Sequence, residues 1–253
     1  MRSTGETTII IVTFRRWAAT QRCIDSVLRH TEPRPKLLIV DNGSPEVMRQ
    51  DLLNYPGRKL FFESNVGFYV ALNTAMRLVD DDLVSILDSD IVVSDGWLAS
   101  LCSEVLSSSD IGLAGSRYLN STGTLQEGYP ALRSDGWYGE NSRDVLHSAD
   151  CQYIAIGCSV MRRSSWQCVG GFDERYFISH GDIDFCYKLR YEGGYRVRYC
   201  PQSSVVHDHG FGREEEYERI RFDSNICDRD FALFRAKWQD RYSREISGTE
   251  VMH

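Results

Sequence analysis

The sequence contains no apolar stretch long enough to cross a bilayer. No clean aliphatic run is longer than Ile9-Ile10-Ile11-Val12, far short of the ~20 residues that a spanning helix needs. That run is also too short for the core of a secretory leader, and Glu6 stands just ahead of it. The expected location is therefore the cytoplasm. A basic surplus is missing as well. There are 29 Lys and Arg against 36 Asp and Glu, a formal net charge of −7. General nucleic-acid binding needs a basic face to neutralise phosphates, so the balance argues against that class. A ligand that carries phosphates would need a metal ion or a local basic pocket here.

Disulfide and zinc spacings are absent too. No Cys-x-x-Cys occurs, and the eight cysteines (23, 102, 151, 158, 168, 186, 200 and 227) lie scattered, mostly within apolar patterns. This points to reduced, packed thiols. Several signatures are missing: the Gly-x-Gly-x-x-Gly of dinucleotide sites, the phosphate-cradling Gly-x-x-x-x-Gly-Lys loop, and His-Glu-x-x-His. Gly157-Cys-Ser-Val-Met departs from the Gly-x-Ser-x-Gly elbow at its last position. There is no internal repeat and no low-complexity segment.

What is present is an ordinary globular composition. The 253 residues are 42% hydrophobic, 26% charged and 11% aromatic, which argues against wholesale disorder, collagen and coiled coil. At about 150 residues per domain the length allows one to two domains. Strand-like aliphatic runs at 8–13, 36–40, 60–62, 83–87 and 111–114 alternate with helical spacings at 17–29, 66–79 and 95–106, the last with Asp95 as its N-cap. Such alternation predicts a largely parallel sheet covered on both faces. The stretch from Ser116 to Asp150 has little periodicity and reads as an excursion that covers substrate. Tyr153 to Met161, Tyr195 to Tyr199 and Ser204 to Val206 read as strands. Asp182 to Glu192 reads as a short helix ended by Gly193-Gly194. After Gly212 the apolar spacing predicts one helix packed on the sheet, with a membrane-surface or dimer-forming helix as alternatives.

Few residues could carry chemistry. Asp88 and Asp90 end a strand and share one side of it, a hard-oxygen pair suited to Mg²⁺ or Mn²⁺ and a diphosphate. A solvated acidic turn has the same pattern, and that reading suits Asp80-Asp81-Asp82 at the other end of the strand. Asp41 ends a strand at the same edge, where ligands bind α/β sheets. Asp-Asn-Gly is equally plain turn chemistry. Asp182 and Asp184 stand about 200° apart on a helix, so one can serve as a general base while the other pairs elsewhere. His207 and His209 follow a strand and are candidate metal ligands.

Taken in order, these pieces resemble family 2 glycosyltransferases of the GT-A fold. Ile-Ile-Ile-Val-Thr-Phe-Arg-Arg (9–16) resembles the opening strand and nucleotide loop, with Val12 where Pro is common. Leu-Leu-Ile-Val-Asp-Asn-Gly-Ser (37–44) resembles the second strand and its base-binding Asp. Asn65-Val-Gly-Phe-Tyr-Val-Ala-Leu-Asn73 resembles the segment over the nucleotide, and Leu-Asp-Ser-Asp (87–90) the metal motif. Gly-Gly-Phe-Asp-Glu (170–174) with Gly-Asp-Ile-Asp-Phe (181–185) resembles the acceptor-side motif. Val-Val-His-Asp-His-Gly (205–210) resembles the closing histidine segment. The match runs from about residue 8 to 210.

The resemblance implies a single α/β domain of GT-A, Rossmann-like type, with a mostly parallel central sheet flanked by helices and a C-terminal helix. Residues 1–212 would form it, as a nucleotide-binding half (about 8–115) and an acceptor-binding half (about 116–212). Residues 213–253 would be a helical extension packed on or beside it. The implied activity is inverting transfer from a nucleotide-sugar, a UDP-sugar first and dTDP-rhamnose second. The acceptor would be a saccharide or glycolipid hydroxyl in glycan synthesis, with Mn²⁺ or Mg²⁺ as cofactor. Thr13, Phe14, Arg15, Asp41, Asn65, Gly67, Asp88 and Ser89 would bind the nucleotide. Asp88, Asp90 and His207 would serve the metal, with His209 competing for the last place, and Asp182 would be the base. Trp137, Tyr138 and His147 are acceptor candidates. Peripheral membrane association and a homodimer stay open.

One departure stands out. The family often has Glu-Asp where this chain has Gly181-Asp182, with His180 adjacent. Two other readings remain. One is a non-catalytic nucleotide-sugar-binding module of the same fold. The other is a sugar-phosphate nucleotidyltransferase, which would need a Gly-rich loop where Thr13-Phe-Arg-Arg-Trp has no glycine.

Overall fold

The aliphatic runs near the N-terminus become the parallel part of one ten-stranded sheet. The computed structural model describes residues 7–130 and 143–248. In chain order the first half contains β1 (Thr7–Thr13), α1 (Trp17–His30), β2 (Lys36–Asp41), α2 (Glu46–Leu53), β3 (Arg58–Phe61), α3 (Phe68–Arg77) and β4 (Leu83–Asp88). Then come β5 (Ile91–Val92), α4 (Trp97–Leu106), β6 (Ile111–Leu119), β7 (Leu125–Glu127), β8 (Ala149–Cys151), β9 (Cys158–Arg162) and α5 (Arg163–Cys168). The chain closes with α6 (Gly181–Tyr191), β10 (Arg196–His207), α7 (Glu215–Arg221) and α8 (Ser224–Gly248).

The sheet order is β3-β2-β1-β4-β9-β6-β10-β5, with β7 on β6 and β8 on β10. β1 pairs in parallel with β2 and β4, and the registers set Thr13 beside Asp41 and Val12 beside Asp88. Three strands therefore end together at one carboxyl edge. β9 interrupts the parallel pattern inside the sheet, while β5, β7 and β8 pair antiparallel at its margins. β9 runs antiparallel to β4 on one side and β6 on the other.

Alternation along β1 divides the core. Ile9 and Ile11 face Cys23, Ile24 and Val27 of α1 and Trp97, Leu98 and Leu101 of α4. Ile10 and Val12 face Ala71, Leu72 and Met76 of α3, with Phe185 and Leu189 of α6 in the same layer. Each fully buried aliphatic side chain contributes about 1.5–3 kcal/mol. Six cysteines are buried in this interior, Cys168 is exposed, and all eight are free.

The elements differ from the sequence reading in a few places. Asp95 is not the cap of α4. Gly96, with φ 77, takes that position, and Asp95 lies exposed against His30 at 2.6 Å. Residues 153–157 are not strand, and β9 begins at Cys158. The runs at 195–199 and 204–206 are one strand, β10, with a register shift between Cys200 and Ser204. The tail is two helices. The Asp223 carboxylate accepts the Asn225 and Ile226 N–H groups and restarts the chain as α8. α8 packs on α6, burying Phe234 and Trp238. Among the described residues no helix is long and apolar enough to cross a membrane.

Candidate active site

A cavity of about 190 Å³ opens at the carboxyl edge of the sheet. Its floor is the end of β1 and β4, where Thr13, Phe14, Asp88, Ser89 and Asp90 line it. Asp182 from the first turn of α6, Glu127 from β7 and the pair His207 and His209 complete the polar wall.

Asp90 is the centre of the charge network. Its Oδ1 lies 3.3 Å from His207 Nε2 and its Oδ2 3.5 Å from His209 Nδ1. The two imidazole rings are 3.8 Å apart between centroids. Burial would raise the Asp90 carboxyl, but the hydrogen bonds of both histidines and the Arg16 charge win and hold it well below the usual carboxylate range. Burial likewise works against His207, yet the hydrogen bond and charge of Asp90 keep it above its ordinary value. Asp88 is the contrast. It is half-buried beside Asp90 and is pushed up to about 7, first by loss of solvent and then by that neighbouring charge. Gly157 leaves it room, because a Cβ there would overlap the Asp88 carboxylate.

The donor set suits a divalent cation. One ligand atom each from Asp90, His207 and His209 lies within 4.8 Å of the others. Nδ1 of His207 is buried and finds no hydrogen-bond partner among the described residues. Carboxylate oxygen with imidazole nitrogen fits Mn²⁺ well and Mg²⁺ acceptably.

Arg16 had no role in the sequence reading, and its side-chain hydrogen bonds are all long-range. It sits at φ 45 and is 4% exposed. It donates to Asp90 Oδ2 at 2.6 Å and to the carbonyls of Asp208, His209 and Phe211. One guanidinium thus ties the β1 loop to the histidine segment. Arg15 instead points to the tail, in ion pairs with Glu214 at 3.3 Å and with Glu216.

Asp182 begins α6 and stands half-buried in the cavity wall. Burial pushes it up to about 6, with the Glu127 charge adding to the effect. Its own amide N–H donates to the Tyr69 hydroxyl at 3.0 Å. Asp184 points elsewhere. It is fully buried and binds Lys237 and the Trp238 indole N–H, each at 2.7 Å. The loop ahead of α6 is held from the tail: the Asp230 carboxylate accepts the N–H groups of Phe177, Ile178 and Ser179 at 3.0–3.1 Å.

The other anticipated residues divide. Asn65 lines the cavity, and Gly67 shapes the wall beside it with φ 89 and Phe177 packed against it. Asp41 lies behind that wall, fully buried. Its oxygens accept the Ser44 N–H and the Arg49 guanidinium at 3.1 Å. Asn42 reaches the cavity in its place, donating to Asn65 Oδ1 at 3.0 Å and accepting from the Val66 N–H. His147 is exposed and away from the cavity lining. Trp137 and Tyr138 lie outside the described residues. His180 does not reach Asp182's cavity either. Its ring packs on Phe231 and Phe234 of α8, 5.0 and 5.8 Å between centroids. Glu127, Tyr217 and Arg221 line the cavity without any local sequence signal.

Comparison with known proteins agrees with this geometry. Residues 8–170 match the family model for glycosyl transferase family 2. A pre-mycofactocin glycosyltransferase of Mycobacterium tuberculosis (strain ATCC 25618 / H37Rv) is 32% identical over 190 residues, 69% of this chain and 37% of the relative. The chain thus spans little more than a third of that protein's length. An N-acetylglucosaminyl-diphospho-decaprenol L-rhamnosyltransferase of the same strain is 24% identical over 242 residues, covering 81% of this chain and 78% of the relative. Among solved structures, GalNAc-T7 with UDP, GalNAc and Mn²⁺ superposes with a TM-score of 0.67 at 16% identity. It covers 80% of this chain and 44% of the other, and it shares the fold. The chain belongs to glycosyl transferase family 2, and its α/β architecture is of the GT-A type.

Proposed function

We propose that this family 2 member transfers a sugar from a nucleotide-sugar to an acceptor hydroxyl, with inversion at the anomeric carbon. The observation that carries the reading is a single cavity holding both the Asp90–His207–His209 cluster and the raised carboxylate of Asp182. A base near 6 is mostly ionised at neutral pH and still basic enough to take a proton in the transition state.

In this reading residues 8–115 hold the nucleotide and 116–212 the acceptor. Thr13, Phe14, Asn65 and Ser89 line the donor side, with Gly67 shaping the segment beside them. Asp90, His207 and His209 would hold Mn²⁺ or Mg²⁺, with Asp88 beside them. A bound divalent ion supplies charge stabilisation to a diphosphate leaving group. Asp182 orients the acceptor hydroxyl and accepts its proton. The acceptor oxygen bonds to the anomeric carbon as the carbon–oxygen bond to the diphosphate breaks, and the bonding pair leaves with the diphosphate. With Asp182 as the base, the acceptor oxygen is the nucleophile of a single displacement.

The favoured donor is a UDP-sugar and the acceptor a saccharide or glycolipid. A dTDP-rhamnose donor is the second reading, supported by a relative named as a rhamnosyltransferase. The test is Asp182→Asn. Turnover falls roughly 10²- to 10⁴-fold, while calorimetric binding of the donor nucleotide is retained. Equal loss of donor binding would remove Asp182 from the role.

A further inference from the structure

Four carboxylates, those of Asp88, Asp90, Glu127 and Asp182, line the cavity. Against them stands one arginine. Among the described residues that line it, Arg221 is the only Arg or Lys. A nucleotide diphosphate adds further negative charge to this space, and a cation held by Asp90 and the histidines offsets only part of it. Arginine is the side chain best shaped for a phosphate, since its planar fork donates two parallel hydrogen bonds.

Arg221 comes from an unusual element. α7 has no buried residue. Tyr217, Ile220 and Arg221 stand at i, i+3 and i+4, a spacing that puts them on one face, and all three line the cavity. Glu215 and Arg219 are exposed. The helix is fastened at its start by charge. Glu214 accepts the Tyr217 N–H at 2.9 Å, Arg15 pairs with Glu214 and Glu216, and the Arg16 guanidinium lies 4.9 Å from the Tyr217 ring centroid. At its other end the chain breaks at Phe222, and Asp223 caps the next helix. A helix held by polar contacts at one end and a break at the other belongs to the low-stability part of a fold, from which covers are drawn.

We propose that Arg221 takes the diphosphate of the bound nucleotide, and that α7 is the cover that carries it over the donor. The inference rests on the donor-site reading above and adds to it the residue that recognises the leaving group.

The experiment is calorimetry on the full chain with Mn²⁺, titrating UDP, dTDP and GDP into the wild type, Arg221→Gln and Arg221→Lys. The nucleotide that binds the wild type is expected to bind Arg221→Gln about 10- to 100-fold more weakly, the range for a lost charged hydrogen bond. Arg221→Lys should recover part of that loss. Melting temperatures without nucleotide should match the wild type, and amide exchange over 215–221 should slow on nucleotide binding in the wild type only. Equal affinity in Arg221→Gln overturns the inference. So does a loss that follows a lowered melting temperature and is not relieved by lysine. A wild type that binds none of the three nucleotides overturns the donor-site reading itself.

Discussion

The ring of Tyr69 occupies the space that a side chain at position 181 would need. A Cβ on Gly181 would lie 2.8 Å from Tyr69 Cε1 and closer still to Cε2 and Cζ. The same tyrosine accepts the Asp182 amide N–H through its hydroxyl. The glycine in place of the family's usual acidic residue and the tyrosine on α3 are therefore one arrangement. The ring excludes a neighbouring acid and its hydroxyl fixes the first turn of the helix that carries Asp182.

Gly181→Ala should lower stability by about 1–3 kcal/mol, the range for overpacking, and should lower turnover by displacing Asp182. Gly181→Glu should be worse alone than in combination with Tyr69→Ala, which removes the obstructing ring. Thermal melts of the single and double variants read this directly. Additive losses would show that the two positions do not compete for space.

pH should move activity and stability in opposite directions. Asp182 must be ionised to accept a proton, so kcat/KM should rise with pH along a limb near pH 6. The folded carboxyl holds its proton up to about 6, whereas an ordinary aspartate releases it near 3.8. Between those values the folded state binds more protons than the unfolded one, so stability falls as pH rises. Asp88, raised to about 7, adds to the same slope in metal-free protein. Asp182→Asn should flatten its share of that slope, measured by denaturant unfolding from pH 4 to 7.

The Arg16–Asp90 pair is buried on both sides, with side chains 3% and 8% exposed. Removing Arg16 leaves Asp90 to His207 and His209 alone and takes the donor from the carbonyls of Asp208, His209 and Phe211. Arg16→Met should therefore cost roughly 3–5 kcal/mol. The double variant Arg16→Met with Asp90→Asn should cost less than the sum of the two. Metal-dependent nucleotide binding should disappear in Asp90→Ala and in the wild type treated with a chelator.

Asp230 couples the tail to the base. Its carboxylate collects three backbone N–H groups from the loop just ahead of α6. Asp230→Ala leaves those donors without their acceptor at about 1–3 kcal/mol each when buried. The expected outcome is a lowered melting temperature together with a fall in kcat larger than any change in donor affinity.

Much of this was legible in the sequence, for a physical reason. Buried parallel strands need continuous aliphatic runs, so β1, β2 and β4 announce themselves, and their ends bring Thr13, Asp88 and Asp90 to one edge. Asp182 was placed by its position at the start of a helix. What could not be read depends on contacts between distant residues. Arg16 finds Asp90 74 positions away. Glu127 and Arg221 enter the cavity from opposite sides of the chain's second half. Asp41 sits where it was expected, but Arg49, eight residues later, engages its carboxylate. The tail's periodicity was real, yet Asp223 could cap a new helix as readily as continue the old one. Gly96 replaced Asp95 at the start of α4 because a left-handed backbone there suits glycine.

The antiparallel strand β9 sets the order in which the sheet can be finished. It must enter between β4 and β6, both of which precede it in the chain. During synthesis those two strands each carry an unpaired backbone edge until residues 158–162 emerge. Open aliphatic edges invite pairing with other chains, and long-range strand insertion is slow. Fragments that stop short of β9 should accordingly be sticky rather than merely inactive. The ribosome-bound chain is then most in need of a chaperone just before β9 joins the two parts of the sheet.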